Sequence, residues 1–156
     1  MNTFYFAYGS NMNPDRVVQR AMRFSDHFAG TLRDYRLAFN KASVNYPGAA
    51  SANVVHAPGE AVEGVLYQLV QPDEIERMDP FEGYPHRYGR QLLAVNAPSA
   101  VVEAWVYIAH PDFVVEGLKP NRWYLEHLLR GRPYLSPEYL ERLVAVACRP
   151  DSDVES

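Results

Sequence analysis

Two short stretches carry the residue types that chemistry needs. In the first, the apolar run Phe4-Tyr5-Phe6-Ala7 stops in Tyr8-Gly9-Ser10-Asn11-Met12, and the chain restarts at Asn13-Pro14. That order reads as strand, tight loop and helix start. Such a loop can aim several backbone N–H groups at one point, which suits an anion or a polarised carbonyl oxygen. Gly-Ser-Asn after a strand is also ordinary turn chemistry, and the stretch lacks the glycine spacing and the lysine of a phosphate loop. In the second stretch, Met78-Asp79-Pro80-Phe81-Glu82-Gly83-Tyr84-Pro85, a helix is expected to stop at Pro80. One carboxylate, Glu82, then stands between two aromatic rings in a turn that Gly83 permits. Desolvation beside such rings raises a carboxyl pKa toward the range where one group both takes and gives a proton. A solvated turn carboxylate beside core-facing rings is the alternative.

The other polar candidates point away from several chemistries. His27, His56, His86, His110 and His127 show no H-x-x-x-H or H-E-x-x-H spacing, which argues against zinc. Ser10 lies in no nucleophile elbow and suits hydrogen bonding better than attack. Cys148, the single cysteine, excludes an internal disulfide; beside Ala145 and Ala147 it reads as an inert thiol on an apolar helical position. Tyr88, Tyr107 and Tyr124 are either core rings or neutral hydroxyl donors for a substrate carboxylate.

These residues need a frame. Phe4 to Tyr8 reads as a strand, and Asn13 caps a short helix holding Val17, Val18, Ala21 and Met22, with Pro14 at its first position. Gly30 to Phe39 reads as one or two kinked strands, and Lys41 to Asn53 as a loop over the surface or a pocket. Glu63 to Val70 is a strand, followed by a helix from Pro72 to Asp79. Tyr88 to Val95 and Val101 to Ile108 form a hairpin joined by Asn96 to Ala100. Trp123, Leu125, Leu128 and Leu129 suit a helix ended by Gly131, and Ser136-Pro137 opens another with Leu140, Leu143 and Val144 inward. Strands lead and helices follow without βαβ alternation, so the class is α+β, with a mostly antiparallel sheet or small barrel under helices.

Length fits one domain over residues 1–149, with 150–156 as a flexible tail. A net charge of −4 leaves no electrostatic footprint for nucleic acid or an acidic membrane surface, so a small-molecule partner is expected. No 18-residue apolar run or basic leader is present, and the protein is expected to be cytoplasmic and soluble.

FAYGSNM, GTLRDYRLAFNKAS, GVLYQL, MDPFEGYPHRY, AWVYIA and KPNRWYLEHLLRGR occur in this order. In this the chain resembles the γ-glutamylcyclotransferase family, from Phe4 to about Leu143. YGSN and the late D-x-x-EG are the specific segments. The resemblance implies a small mixed, mostly antiparallel β-barrel with flanking helices. It also implies cleavage of a γ-glutamyl amide by its own α-amine, releasing 5-oxoproline and an amine. The family's catalytic carboxylate falls on Glu82. Its substrate-binding loop falls on Tyr8, Gly9, Ser10, Asn11 and Met12, and its pocket tyrosines fall on Tyr88, Tyr107 and Tyr124. Because the substrate carries its own nucleophile, no cofactor, metal or covalent intermediate is required. A monomer or homodimer is expected.

Two features qualify the transfer. The loop reads YGSN where the glutathione-acting branch has YGSL, which makes glutathione the less favoured substrate. Arg87 lies near Glu82 in sequence and would weaken a base if paired with it, so it is expected to point elsewhere. Within the enzyme reading, the leaving group is an amino acid, an ε-linked lysine, an alkylamine or a protected metabolite. The competing reading is a non-catalytic γ-glutamyl-ligand binder of the same fold.

Overall fold

The computed structural model describes residues 2–150. Five strands, β1 (Thr3–Ala7), β2 (Phe24–Ala42), β3 (Ala50–Leu69), β4 (Tyr88–Asn96) and β5 (Val101–Ala109), close into a barrel in the order β1-β3-β2-β4-β5. The pairings are antiparallel except β1 with β5, which run parallel through Phe4↔Ala104 and Tyr5↔Trp105. This is the α+β, mostly antiparallel barrel that the order of strands and helices suggests. Helices α1 (Pro14–Gln19), α2 (Ile75–Glu82), α3 (Arg122–Leu129) and α4 (Pro137–Val144) flank it.

β1 explains the apolar run at its start. Phe4 and Phe6 pack with Leu32, Val62, Leu66 and Val106, a cluster drawn almost wholly from strands. Tyr5 and Ala7 point the other way, into a cluster with Met78 of α2 and Leu125 and Leu128 of α3. A strand covered on both faces needs apolar residues at every position rather than alternation. Being pinned on both sides, it delivers the following loop to a fixed place.

Several local expectations are corrected. Lys41 and Ala42 end β2 and Ala50 to Asn53 begin β3, so only residues 43–49 form the connection. Small residues of weak strand propensity pair there because the ladder Lys41↔Ser51 and Ala42↔Ala50 overrides composition. The expected kink is at Asp34, whose φ of 68° marks a register shift between Arg33 and Tyr35. Asn96 pairs with Val101, which shortens the β4–β5 connection to residues 97–100. Asn13 does cap α1, its Oδ1 accepting from Asp15 N at 3.1 Å, but the helix ends at Gln19, before Ala21 and Met22. In α4 it is Tyr139 that shares the inward face with Leu143, one turn apart, while Val144 is exposed. Cys148 lies beyond α4, outside any helix and only half-buried. Residues 151–156, most of the expected tail, lie outside the described residues. No helix among the described residues is long and apolar enough to cross a membrane.

Candidate active site

Directly after β1 the chain makes one 3₁₀ turn, Ser10–Met12, closed by Met12 N donating to Gly9 O at 2.9 Å. A turn of this kind leaves the N–H groups of its first two residues, Ser10 and Asn11, without partners inside the turn. Glycine at position 9 allows a close approach. A Cβ there would stand 3.1 Å from the Tyr124 hydroxyl and 3.2 Å from Ala52 Cβ. Asn11 is buried and held at every polar atom of its side chain and by its carbonyl. Tyr67 donates to that carbonyl at 2.6 Å and Arg20 donates to Oδ1 at 3.1 Å. The Asn11 amide donates to the Tyr5 hydroxyl at 2.9 Å and to Glu82 Oε1 at 3.3 Å. The two stretches singled out in the sequence, 71 residues apart, thus meet through one hydrogen bond.

Glu82 is the last residue of α2, because the helix runs through Pro80 instead of stopping there. Proline removes only the donor to the carbonyl four residues back, that of exposed Glu76, where water can substitute. The stop is Gly83, left-handed at φ 68°, with Tyr84 N donating to Asp79 O at 3.0 Å and Gly83 N to Pro80 O at 3.3 Å. This double bond pattern is the glycine-terminated Schellman cap. One turn before Glu82, Asp79 accepts both Nε and Nη2 of Arg90, at 2.9 and 3.0 Å, and the Tyr107 hydroxyl at 2.6 Å. Arg90 itself is sandwiched between the rings of Tyr84 and Trp105. The helix end that carries Glu82 is therefore tied to β4 and β5.

Glu82 opens onto a cavity of about 270 Å³. Tyr8, Gly9, Ser10, Asn11, Tyr88, Tyr107 and Tyr124, all singled out in the sequence, line it. Met12 does not: its side chain is fully buried in the core beside Val17 and Leu128, because the 3₁₀ turn rotates it inward. The tyrosines also differ from uniform hydroxyl donors. Tyr8 donates to the Tyr107 carbonyl at 2.6 Å and Tyr88 to the Ala52 carbonyl at 2.7 Å, and Tyr107 donates to Asp79. Tyr124 instead accepts from Ala52 N at 2.9 Å, so its own O–H remains free to donate. Burial pushes the Tyr124 phenol above its usual range, keeping it a neutral donor.

Sequence reasoning missed four cavity-lining groups of consequence: Tyr5, Arg16, Arg20 and Lys41. Arg16 and Arg20 had a signal, since residues four apart share a helical face directly after the loop. Arg16 Nε donates to Ser10 Oγ at 3.2 Å. Arg87 also lines the cavity, which corrects the expectation that it points elsewhere, although it makes no ion pair with Glu82. The charges of Arg20, Lys41, Arg16 and Arg87 oppose burial at Glu82, but burial is the larger effect and raises its pKa. A carboxylate with a raised pKa, an amide-rich loop and a free phenol O–H around one cavity can move a proton while holding a polar ligand.

A family model described as gamma-glutamyl cyclotransferase, AIG2-like, matches residues 5–126. The chain belongs to this family. The match spans both the loop and Glu82. Among solved structures, an uncharacterized protein, loc79017, from Homo sapiens is 23% identical, with a TM-score of 0.86 over 99% of this chain and 94% of that one. A gamma-glutamyl cyclotransferase is 20% identical, with a TM-score of 0.82 over 100% and 94%. A yeast gamma-glutamyl cyclotransferase specific to glutathione is more distant, at 13% identity and a TM-score of 0.67 over 92% and 94%. At these identities the likeness is one of fold. A sequence search of curated proteins finds no match.

Proposed function

We propose that this family member is a cyclotransferase that cleaves a γ-glutamyl amino acid or γ-glutamyl amine, with Glu82 as its proton shuttle. The observation that carries the reading is the hydrogen bond of Asn11 to Glu82, which joins a carboxylate of raised pKa to the loop lining the same cavity. The substrate's α-ammonium gives a proton to the Glu82 carboxylate. The freed amine attacks the γ-carbonyl carbon, forming the ring C–N bond and placing negative charge on the carbonyl oxygen. The Ser10 and Asn11 N–H groups and the Tyr124 hydroxyl are the donors assigned to that oxygen or to the substrate's α-carboxylate. Glu82 then gives the proton to the departing nitrogen as the amide C–N bond breaks, and the ring nitrogen sheds its second proton through the same carboxylate to the departing amine, giving 5-oxoproline and the amine as its ammonium ion. Every atom comes from the substrate, and holding amine and carbonyl in one molecule supplies much of the rate.

The test is 5-oxoproline release from a panel of γ-glutamyl amino acids and amines by the wild type and Glu82→Gln. Gln keeps the shape and can still accept from Asn11, but it cannot shuttle a proton. Turnover is expected to fall by about 10²- to 10⁴-fold, the usual worth of a positioned acid–base group. A variant with near-native turnover would refute the role of Glu82. Binding of panel members by the wild type without turnover would favour a binding protein.

A further inference from the structure

Lys41 is the cavity group that the proton shuttle leaves without a task. It ends β2 just past a register shift, pairs with Ser51, and turns its side chain into the cavity with 5% of its surface exposed. Its Nζ stands 5.4 Å from the centre of the Tyr88 ring and 5.6 Å from that of Phe113. No carboxylate among the described residues is within ion-pair distance of it. A buried ammonium is costly unless paired, and ring faces offset only part of that cost. The group is therefore suited to an anion that a ligand brings.

The cavity's cations fall into two sets. Arg16 and Arg20 are rooted in the loop, through Ser10 Oγ and Asn11 Oδ1. Lys41 and Arg87 gather instead near Tyr88, which directly follows Arg87 in the chain, and the Arg87 charge reaches Lys41. Glu82 feels both sets. A γ-glutamyl amino acid carries two carboxylates, one on the glutamyl α-carbon and one on the residue that departs. A γ-glutamyl amine carries only the first. We infer that Lys41 binds the carboxylate of the departing residue, so that the cavity selects γ-glutamyl amino acids over γ-glutamyl amines of equal bulk. The inference rests on the cyclotransferase reading and names the substrate class within it.

The experiment compares γ-glutamyl-L-alanine with γ-glutamylethylamine, which differ by that one carboxylate, for the wild type, Lys41→Met and Lys41→Arg. The wild type is expected to prefer the alanine compound in kcat/KM by about ten- to hundredfold, the range for a hydrogen bond to a charged group. Lys41→Met is expected to lose that preference through a raised KM for the alanine compound, and Lys41→Arg to keep most of it. Equal use of the two compounds by the wild type would overturn the inference. So would equal losses on both in Lys41→Met, which would place Lys41 on the glutamyl α-carboxylate instead. Calorimetric binding of the same pair to Glu82→Gln, with and without Lys41→Met, repeats the comparison without turnover, the preference being expected only where Lys41 is kept. Tighter binding of the alanine compound there sustains the role of Lys41 even if the wild type cyclises neither, an outcome that would strike the cyclotransferase reading alone; equal binding overturns the inference.

Discussion

At Glu82, burial and four neighbouring cations act in opposite directions on one proton, and burial prevails. A base must be ionised to accept the substrate's proton. The acid limb of kcat/KM is therefore expected above the ordinary glutamate range of about 4.3, and a limb at or below it would contradict the burial. The same shift bears on folding. A carboxyl whose folded pKa lies above its unfolded value costs stability as pH rises through that window, and the cost is complete above the folded pKa. Glu82→Gln should thus melt at a higher temperature than the wild type at neutral pH and lose the difference in acid, as a thermal scan at both pH values would show. Lys41 gives the opposite limb: burial, aided by the Arg87 charge, lowers its pKa to about 8. Above that pH its cation is lost, so KM for γ-glutamyl-L-alanine should climb, and Lys41→Arg should postpone the climb. Turn chemistry marks Glu82 and the loop locally in the sequence, but the expected shielding by both flanking rings is corrected: Phe81 and Tyr84 are exposed, and Tyr84 stacks on Arg90 away from the cavity. The tyrosine roles and Lys41 have no such local mark, since they depend on Ala52 and Tyr88, which only the folded barrel brings near.

Helix α2 is the element that aims Glu82, and Asp79 is its anchor. Removing one partner of the half-buried Asp79–Arg90 pair leaves the other charge uncompensated. Asp79→Asn is expected to destabilise the fold by about 2 kcal/mol in urea unfolding, the range for hydrogen bonds to a charged group. It should also lower kcat, because the turn carrying Glu82 loses its tie to β4 and β5. Tyr107→Phe removes a single hydrogen bond to Asp79 and should cost about 1 kcal/mol. A stability loss in Asp79→Asn no larger than in Tyr107→Phe would contradict the anchoring role. The sequence marked α2 but misplaced its end, since Pro80 looked like the stop. The decisive signal was Gly83, whose left-handed conformation allows the cap. The two residues between these signals are Phe81 and Glu82, which is why the setting of Glu82 changes from a turn to a helix end.

The whole molecule brings distant segments to one cavity: the loop after β1 with α1, the end of β2 and the β2–β3 connection through Ser43 and Tyr46, the end of α2, Tyr88 of β4, Tyr107 of β5, and Tyr124 of α3. The barrel was readable as a class from strands leading and helices following, and its hairpin from adjacent apolar runs. Its closure through the parallel β1–β5 contact was not, because that pairing has no local signature. Fold likeness at 20–23% identity shows that the barrel tolerates wide sequence change while keeping its shape. In the proposed reaction the substrate's own amine, and not water, attacks the γ-carbonyl. The most direct measurement is mass spectrometry of the products formed from γ-glutamyl-L-alanine in water enriched in heavy oxygen. Intramolecular attack gives 5-oxoproline and alanine in equal amounts, with no solvent oxygen in the 5-oxoproline. Glutamate carrying a solvent oxygen in its γ-carboxylate would contradict it.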